Sequence, residues 1–164
     1  MPLRIRDAVP GDAEALAGIY NHYILNTHIT FDLEPVSRDN RLRWMEQFDN
    51  PRHRLVIGEV EDQVIGYACS TRFRTKPAYE RSVETTIYLH QEAAGRGYGR
   101  ALYGNLLDAL ATTDTKRCYG VIALPNDASV GLHKQFGYVE VGHLTEVGYK
   151  FDQHWDTLWL EKRL

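Results

Sequence analysis

The sequence predicts a mixed α/β (α+β) fold, a mostly antiparallel central sheet flanked by helices. Three observations carry this. The chain has 164 residues, 43% hydrophobic and 25% charged, enough for one core and short for two. Its periodic segments follow in the order β-α-α-β-β-β-α-β-α-β-β, with no repeat, low-complexity tract or linker, so a single domain over 1–164 is expected. Two adjacent β-rich runs are broken only by "EDQ", as in an antiparallel hairpin.

The elements follow in order. "LRIRDA" alternates apolar and polar residues, as a strand packed on one face does. "VPGD" punctuates, and Asp12 is placed to cap a helix through "AEALAGIYNHYILNT". "HITFDLEPVSRDN" has neither period and contains Pro35, so it reads as a loop; Ser37 or Asp39 then caps the short helix "RLRWMEQF". The hairpin "HRLVIGEVEDQVIGYACSTRF" follows, then the polar excursion "RTKPAYER" and a further strand, "SVETTIYLH". Beyond a glycine cluster, Ala101, Leu102, Asn105, Leu106, Ala109 and Leu110 recur at helical spacing. "RCYGVIAL" is a buried-type strand, "PNDASVGLHKQF" a helix capped near Asn126 or Asp127, and "GYVEVGHL" a strand. The tail closes with Trp155, Leu158 and Leu160 alternating along a last strand.

Composition excludes several classes. A net charge of -3 leaves no nucleic-acid footprint. No run approaches the roughly 20 apolar residues of a membrane span, and the first residues carry charge where a signal peptide needs an apolar stretch. Cys69 and Cys118 lie far apart with no CxxC or Cys/His spacing, as expected of reduced core thiols in a cytoplasmic protein. The histidines show no ligand spacing, so no metal is expected.

The stretch "GRGYGRAL" sets Gly95, Gly97 and Gly99 beside Arg96 and Arg100 where a helix begins. A helix N-terminus presents unpaired N–H groups and a positive dipole end, and glycines let backbone approach a ligand. Two cations there are unfavourable unless a counter-charge arrives, which a polyanion would bring. A glycine-rich turn with solvated arginines would look the same. No Lys-Ser/Thr follows, so this is no Walker loop, and the dinucleotide fingerprint's last glycine would fall on Arg100 or Leu102. A pyrophosphate held after a central strand, as in acyl-CoA binding, is the option that remains.

The segment resembles the acetyl-CoA loop of the GNAT N-acetyltransferase superfamily, whose pattern is Gln/Arg-x-x-Gly-x-Gly/Ala. Gly97 and Gly99 match its glycines, while the Gln/Arg position falls on Ala94. The element order resembles the GNAT fold throughout. "IYNHYILNTHITFD", "VETTIYLH", "GRGYGRALY", "ALPNDASVGLHKQFGY" and "GYKFDQHWDTLWLEK" together resemble its phosphinothricin and methionine sulfoximine acetyltransferase branch, across nearly the whole chain.

Strand alternation puts Glu84 and Thr86 on one face and Thr85 and Ile87 on the other. A carboxylate inside an apolar β run is uncommon and is costly to bury unpaired; it would serve equally as a sheet glutamate paired with an arginine. The resemblance implies that Glu84 is the general base and His133 a supporting acid/base, where the wider superfamily has a tyrosine. It implies that the backbone of Ile87, Tyr88 and Leu89 pairs with the pantetheine of acetyl-CoA, that Gly95, Arg96, Gly97, Tyr98, Gly99 and Arg100 hold its pyrophosphate, and that Asn126 and Ser129 contact its arm. Asn126 also suits simple capping. For the substrate, the resemblance points to Arg74 binding a carboxylate, Phe31 and Tyr79 walling the pocket, and Glu84 and Thr86 facing it. The expected activity is direct acetylation of the α-amine of a small amino-acid-like molecule such as phosphinothricin, methionine sulfoximine or methionine sulfone, by a homodimer, as detoxification. Acetylation of a polyamine or protein N-terminus, or CoA binding without turnover, stay open.

Overall fold

The computed structural model describes residues 2–164. Its elements are β1 (Arg4–Asp7), α1 (Ala13–Asn26), α2 (Arg38–Met45), β2 (Leu55–Val60), β3 (Gln63–Arg72), β4 (Ser82–Leu89), α3 (Tyr98–Ala111), β5 (Arg117–Ala123), α4 (Asp127–Gln135), β6 (Val139–Lys150) and β7 (Gln153–Arg163). They fall in the expected order. The strands form one sheet, β1-β2-β3-β4-β5-β7-β6. Every neighbouring pair is antiparallel except β4–β5, which is parallel and needs α3 as its crossover.

Two hairpins are closed by pairs of left-handed residues. Glu61 and Asp62 join β2 to β3 at φ 49° and 60°, and Phe151 and Asp152 join β6 to β7 at 53° and 57°. Positive φ at both central residues is the two-residue turn whose twist matches that of its strands.

Side-chain alternation gives the sheet two apolar faces. On one, Val56, Ala68, Val83, Cys118 and Leu160 pack beneath Leu102, Leu106 and Leu110 of α3. On the other, Leu55, Ile57, Tyr67 and Cys69 pack beneath Leu16 and Ile19 of α1, with Trp44 and Met45 of α2 beside them. Thr85 points into the first core, where its hydroxyl lies 2.7 Å from both the Tyr103 and Tyr138 hydroxyls. Three buried hydroxyls satisfy one another there, as burial demands.

Three expectations need correction. Asp12 stands at the N-cap of α1, but its carboxylate takes the two Arg6 Nη groups at 2.8 Å and the Val9 N–H at 2.8 Å, and caps nothing in the helix. Arg6 correspondingly holds the Asp12 carboxyl below its ordinary value. The buried stripe of α3 is Leu102, Tyr103, Leu106, Leu107 and Leu110, while Ala101 and Asn105 face outward. Leu158 and Leu160 are buried on one face of β7, but Trp155 has the opposite parity and stacks on His28 with ring centroids 4.1 Å apart.

Candidate active site

The parallel ladder between β4 and β5 runs only from Ser82–Glu84 to Arg117–Tyr119. Beyond it the strands diverge, and a cavity of about 600 Å³ occupies the wedge. Ile87, Tyr88 and Leu89 of β4 line one wall; Val121, Ile122 and Ala123 of β5 line the other. At the strand's end, Tyr23 donates to the Leu89 carbonyl at 2.6 Å.

The glycine cluster closes the top of this groove. Gly95 and Gly97 adopt φ +74° and +80°, the left-handed region that suits glycine. Gly97 is the N-cap of α3 and has no side chain to offer, so the first helical N–H groups stay uncapped. Gly99 and Arg100 line the groove with Gly95 and Gly97; Arg96 and Tyr98 do not. The groove's size, its free helix terminus and an adjacent arginine fit a phosphorylated cofactor with an extended arm.

Asn126 and Ser129 line the opposite rim. Asn126 Oδ1 accepts the Ser129 N–H at 3.2 Å, capping α4. His133, one turn on, is 3% exposed, and its Nδ1 lies 2.7 Å from the Ser129 carbonyl. A carbonyl only accepts, so Nδ1 carries the proton and Nε2 presents a lone pair. That Nε2 is buried with no hydrogen-bond partner among the described residues. Burial lowers the His133 pKa and keeps the ring neutral. In this state His133 can accept a proton; acting as an acid first requires the imidazolium that burial disfavours. Gly120 makes room for the ring, since a Cβ there would come within 2.6 Å of Nε2.

Glu84 opens on the other face of the sheet, into a second cavity of about 390 Å³. Thr86, Thr71, Cys69, Phe31 and Arg41 share it, and Thr86, Tyr88, Val121 and Ala123 line both cavities, so the two communicate through the wedge. The Phe31 ring lies on Gly148, where a Cβ would fall 2.3 Å from it. Burial raises the Glu84 pKa, and the Arg74 guanidinium offsets part of that rise. Arg74 itself is exposed, 4.7 Å above the Phe73 ring and 5.7 Å from that of Trp159. Among the described residues it has no carboxylate within salt-bridge distance.

The structure thus gathers Phe31, Glu84 and Thr86 in one cavity with Arg74 beside it. Tyr79 is left outside, 45% exposed and edge-on to Phe73. His133 and Glu84 lie on opposite faces and meet only across the wedge. Lys150 has no counterpart in the sequence reading: it is 4% exposed, and its ammonium donates to the Thr30 and Asp32 carbonyls at 2.8 and 3.0 Å, tying the loop that carries Phe31 to β6. Its signal, a lysine in "GYKF" at the end of a strand, is not distinctive. Among the described residues no cluster of potential ligands could hold a metal, and no helix is long and apolar enough to cross a membrane.

The family model described as an acetyltransferase (GNAT) domain matches residues 5–159. A phosphinothricin N-acetyltransferase from Streptomyces coelicolor is 45% identical over 99% of this chain and 96% of its own length. An L-methionine sulfoximine/L-methionine sulfone acetyltransferase from Salmonella typhimurium is 30% identical over 99% and 95%. Among solved structures, a phosphinothricin acetyltransferase from Sinorhizobium meliloti in complex with acetyl-CoA superposes with a TM-score of 0.95 at 30% identity, over 100% of this chain and 89% of that one.

Proposed function

The chain belongs to the GNAT acetyltransferase family and is an acetyl-CoA-dependent N-acetyltransferase; on that premise we propose that it acetylates the α-amine of a small amino-acid-like substrate of the phosphinothricin, methionine sulfoximine and methionine sulfone class. The observation that carries this reading is Glu84, a largely buried carboxylate in a small cavity that opens through the wedge onto the cofactor groove.

Acetyl-CoA supplies an acetyl group activated as a thioester. The main chain of Ile87, Tyr88 and Leu89, released from β5, offers N–H and C=O groups to an extended pantetheine arm. The uncapped N–H groups after Gly97, with Arg100, suit its pyrophosphate. Glu84 accepts the proton of the substrate ammonium, directly or through a water, and its raised pKa brings it closer to the operating pH of such a base. Arg74 takes the α-carboxylate through its bidentate fork. Burial pushes the Cys69 thiol in the substrate cavity up to about 12. It stays protonated, which favours direct transfer over an acyl-enzyme. Free buried thiols and acetyl-CoA use fit a cytoplasmic detoxifying enzyme. Exposed Val139, Val141, Leu144 and Val147 along edge strand β6 support a homodimer.

The testing experiment is thiol release from acetyl-CoA against phosphinothricin, methionine sulfoximine, methionine sulfone, ordinary amino acids, a polyamine and a short peptide. Preferred turnover of the first three is expected. Turnover of only the polyamine or peptide rejects the substrate class. Silence with CoA still bound rejects catalysis.

The pH profile gives a second expectation. Glu84 accepts a proton only when ionised, so kcat/KM rises as pH climbs through its elevated pKa. Arg74 favours that carboxylate, so Arg74→Ala moves the acid limb to higher pH while raising the amino-acid KM. A limb that stays put, or moves down, separates Arg74 from Glu84.

A further inference from the structure

Building on the amino-acid reading above, we infer that Arg41 is a specificity-determining residue, which grips an anionic or strongly dipolar oxygen at the far end of the substrate side chain. Arg41 projects from α2 into the cavity that contains Glu84 and is 7% exposed. Its Nε and Nη2 share one acceptor, Asn40 Oδ1, at 3.2 and 2.9 Å. Nη1 makes no hydrogen bond, and no carboxylate lies within salt-bridge distance, among the described residues. The Trp44 and Tyr20 rings sit 4.5 and 5.1 Å from the guanidinium carbon. Cation–π contacts of this kind offset only part of what a buried charge loses in hydration.

Arg6 shows what a structural arginine looks like in this protein. Its side chain is 23% exposed, and it holds the Asp12 and Glu59 carboxylates at 2.8 Å. Arg41 is more deeply placed and has no anion among the described residues. Asp32, the acid nearest its end of the cavity, directs Oδ2 to the Tyr20 hydroxyl at 2.5 Å instead. A five-donor fork with one shared amide acceptor is a half-filled site.

Its position suits the tail of a substrate. Glu84, Thr86 and Tyr88 stand opposite Thr71, Cys69 and Tyr67 on β3. Arg41 belongs to the Tyr67 and Tyr88 end, through Trp44 against Tyr67 and Tyr20 against Tyr88. Two to four residues along a strand separate the ends by about 7–13 Å. That is the scale of an extended amino acid with its amine at Glu84. With Arg74 beside the cavity for the carboxylate, the cation inside it is Arg41, which selects phosphinate, sulfonyl or carboxylate tails over apolar ones.

The test compares wild type, Arg41→Met and Arg41→Lys on phosphinothricin, methionine sulfone and norleucine. Arg41→Met is expected to raise the phosphinothricin KM at least about tenfold, methionine sulfone less, and norleucine not at all, with kcat little changed. Arg41→Lys, which keeps the charge and loses the fork, falls between and serves if the methionine variant melts early. A KM change equal across the three tails overturns the proposal, because a merely structural role ignores the tail. Calorimetry of phosphinothricin binding to the CoA-loaded protein separates the two readings. If wild type binds it without turnover and Arg41→Met binds at least tenfold more weakly, Arg41 stands and the acetylation reading falls. Equal binding by both, or none by wild type, overturns the assignment of Arg41.

Discussion

Glu84→Gln is expected to lower kcat by about 10²–10⁴-fold near neutral pH, the contribution of a positioned general base, while the KM for acetyl-CoA stays within a few-fold. The substitution keeps shape and hydrogen-bonding capacity and removes only basicity. Folding should not suffer, because the native state already disfavours the charged form: burial raises the Glu84 pKa despite Arg74. Cofactor binding should not suffer either, since Glu84 lines the substrate cavity and not the cofactor groove. A loss confined to kcat marks an interaction realised only as the reaction proceeds. The acid limb of the pH profile should vanish with it. Steady-state kinetics between acid and mildly alkaline pH check both; an unchanged rate removes Glu84 from the role of base.

The face on which Glu84 sits was legible because it is local. Two-residue alternation along "SVETTIYL" puts Glu84 and Thr86 on one face whatever surrounds them, and the structure has Thr85 buried against Tyr103 and Tyr138 on the other. The glycine loop was legible for a similar reason: positive φ and an uncapped helix start are written in the residues themselves. What stayed hidden depends on which partner a side chain finds once the chain is folded, whether six residues away or more than a hundred. Asp12 has the right type and place for a cap, yet Arg6 across the sheet edge outcompetes the helix N–H groups for its carboxylate. Lys150 reaches carbonyls some 120 residues away. Arg41 looks like one more cation in "RDNRLRWM" until Trp44 and Tyr20 close over it. His133 and Glu84 suggest a pair when read in line, but α4 and the Glu84 face of β4 lie on opposite sides of the sheet, and no local pattern reports that.

Gly99→Asp is expected to raise the acetyl-CoA KM on the order of 100-fold, from one carboxylate set about 6 Å from a pyrophosphate at an intermediate effective dielectric. Gly99 is the second residue of α3 and lines the cofactor groove. An acidic side chain there is favourable for the helix, whose N-terminus welcomes negative charge, so the melting temperature without cofactor should hold or rise slightly. The same carboxylate competes with the pyrophosphate for the N–H groups that Gly97 leaves uncapped. Stability and binding therefore move in opposite directions, which a general folding defect cannot imitate. Gly99→Ala is the steric control: its Cβ would meet a Leu89 methyl at 3.3 Å, a contact that shifts by a few tenths of an ångström. A small KM change for alanine beside a large one for aspartate assigns the loss to charge. If calorimetry and kinetics put the aspartate variant within about threefold of wild type, where a like charge should cost far more, the anion does not sit on this helix, and Arg100 and the glycines serve the turn alone.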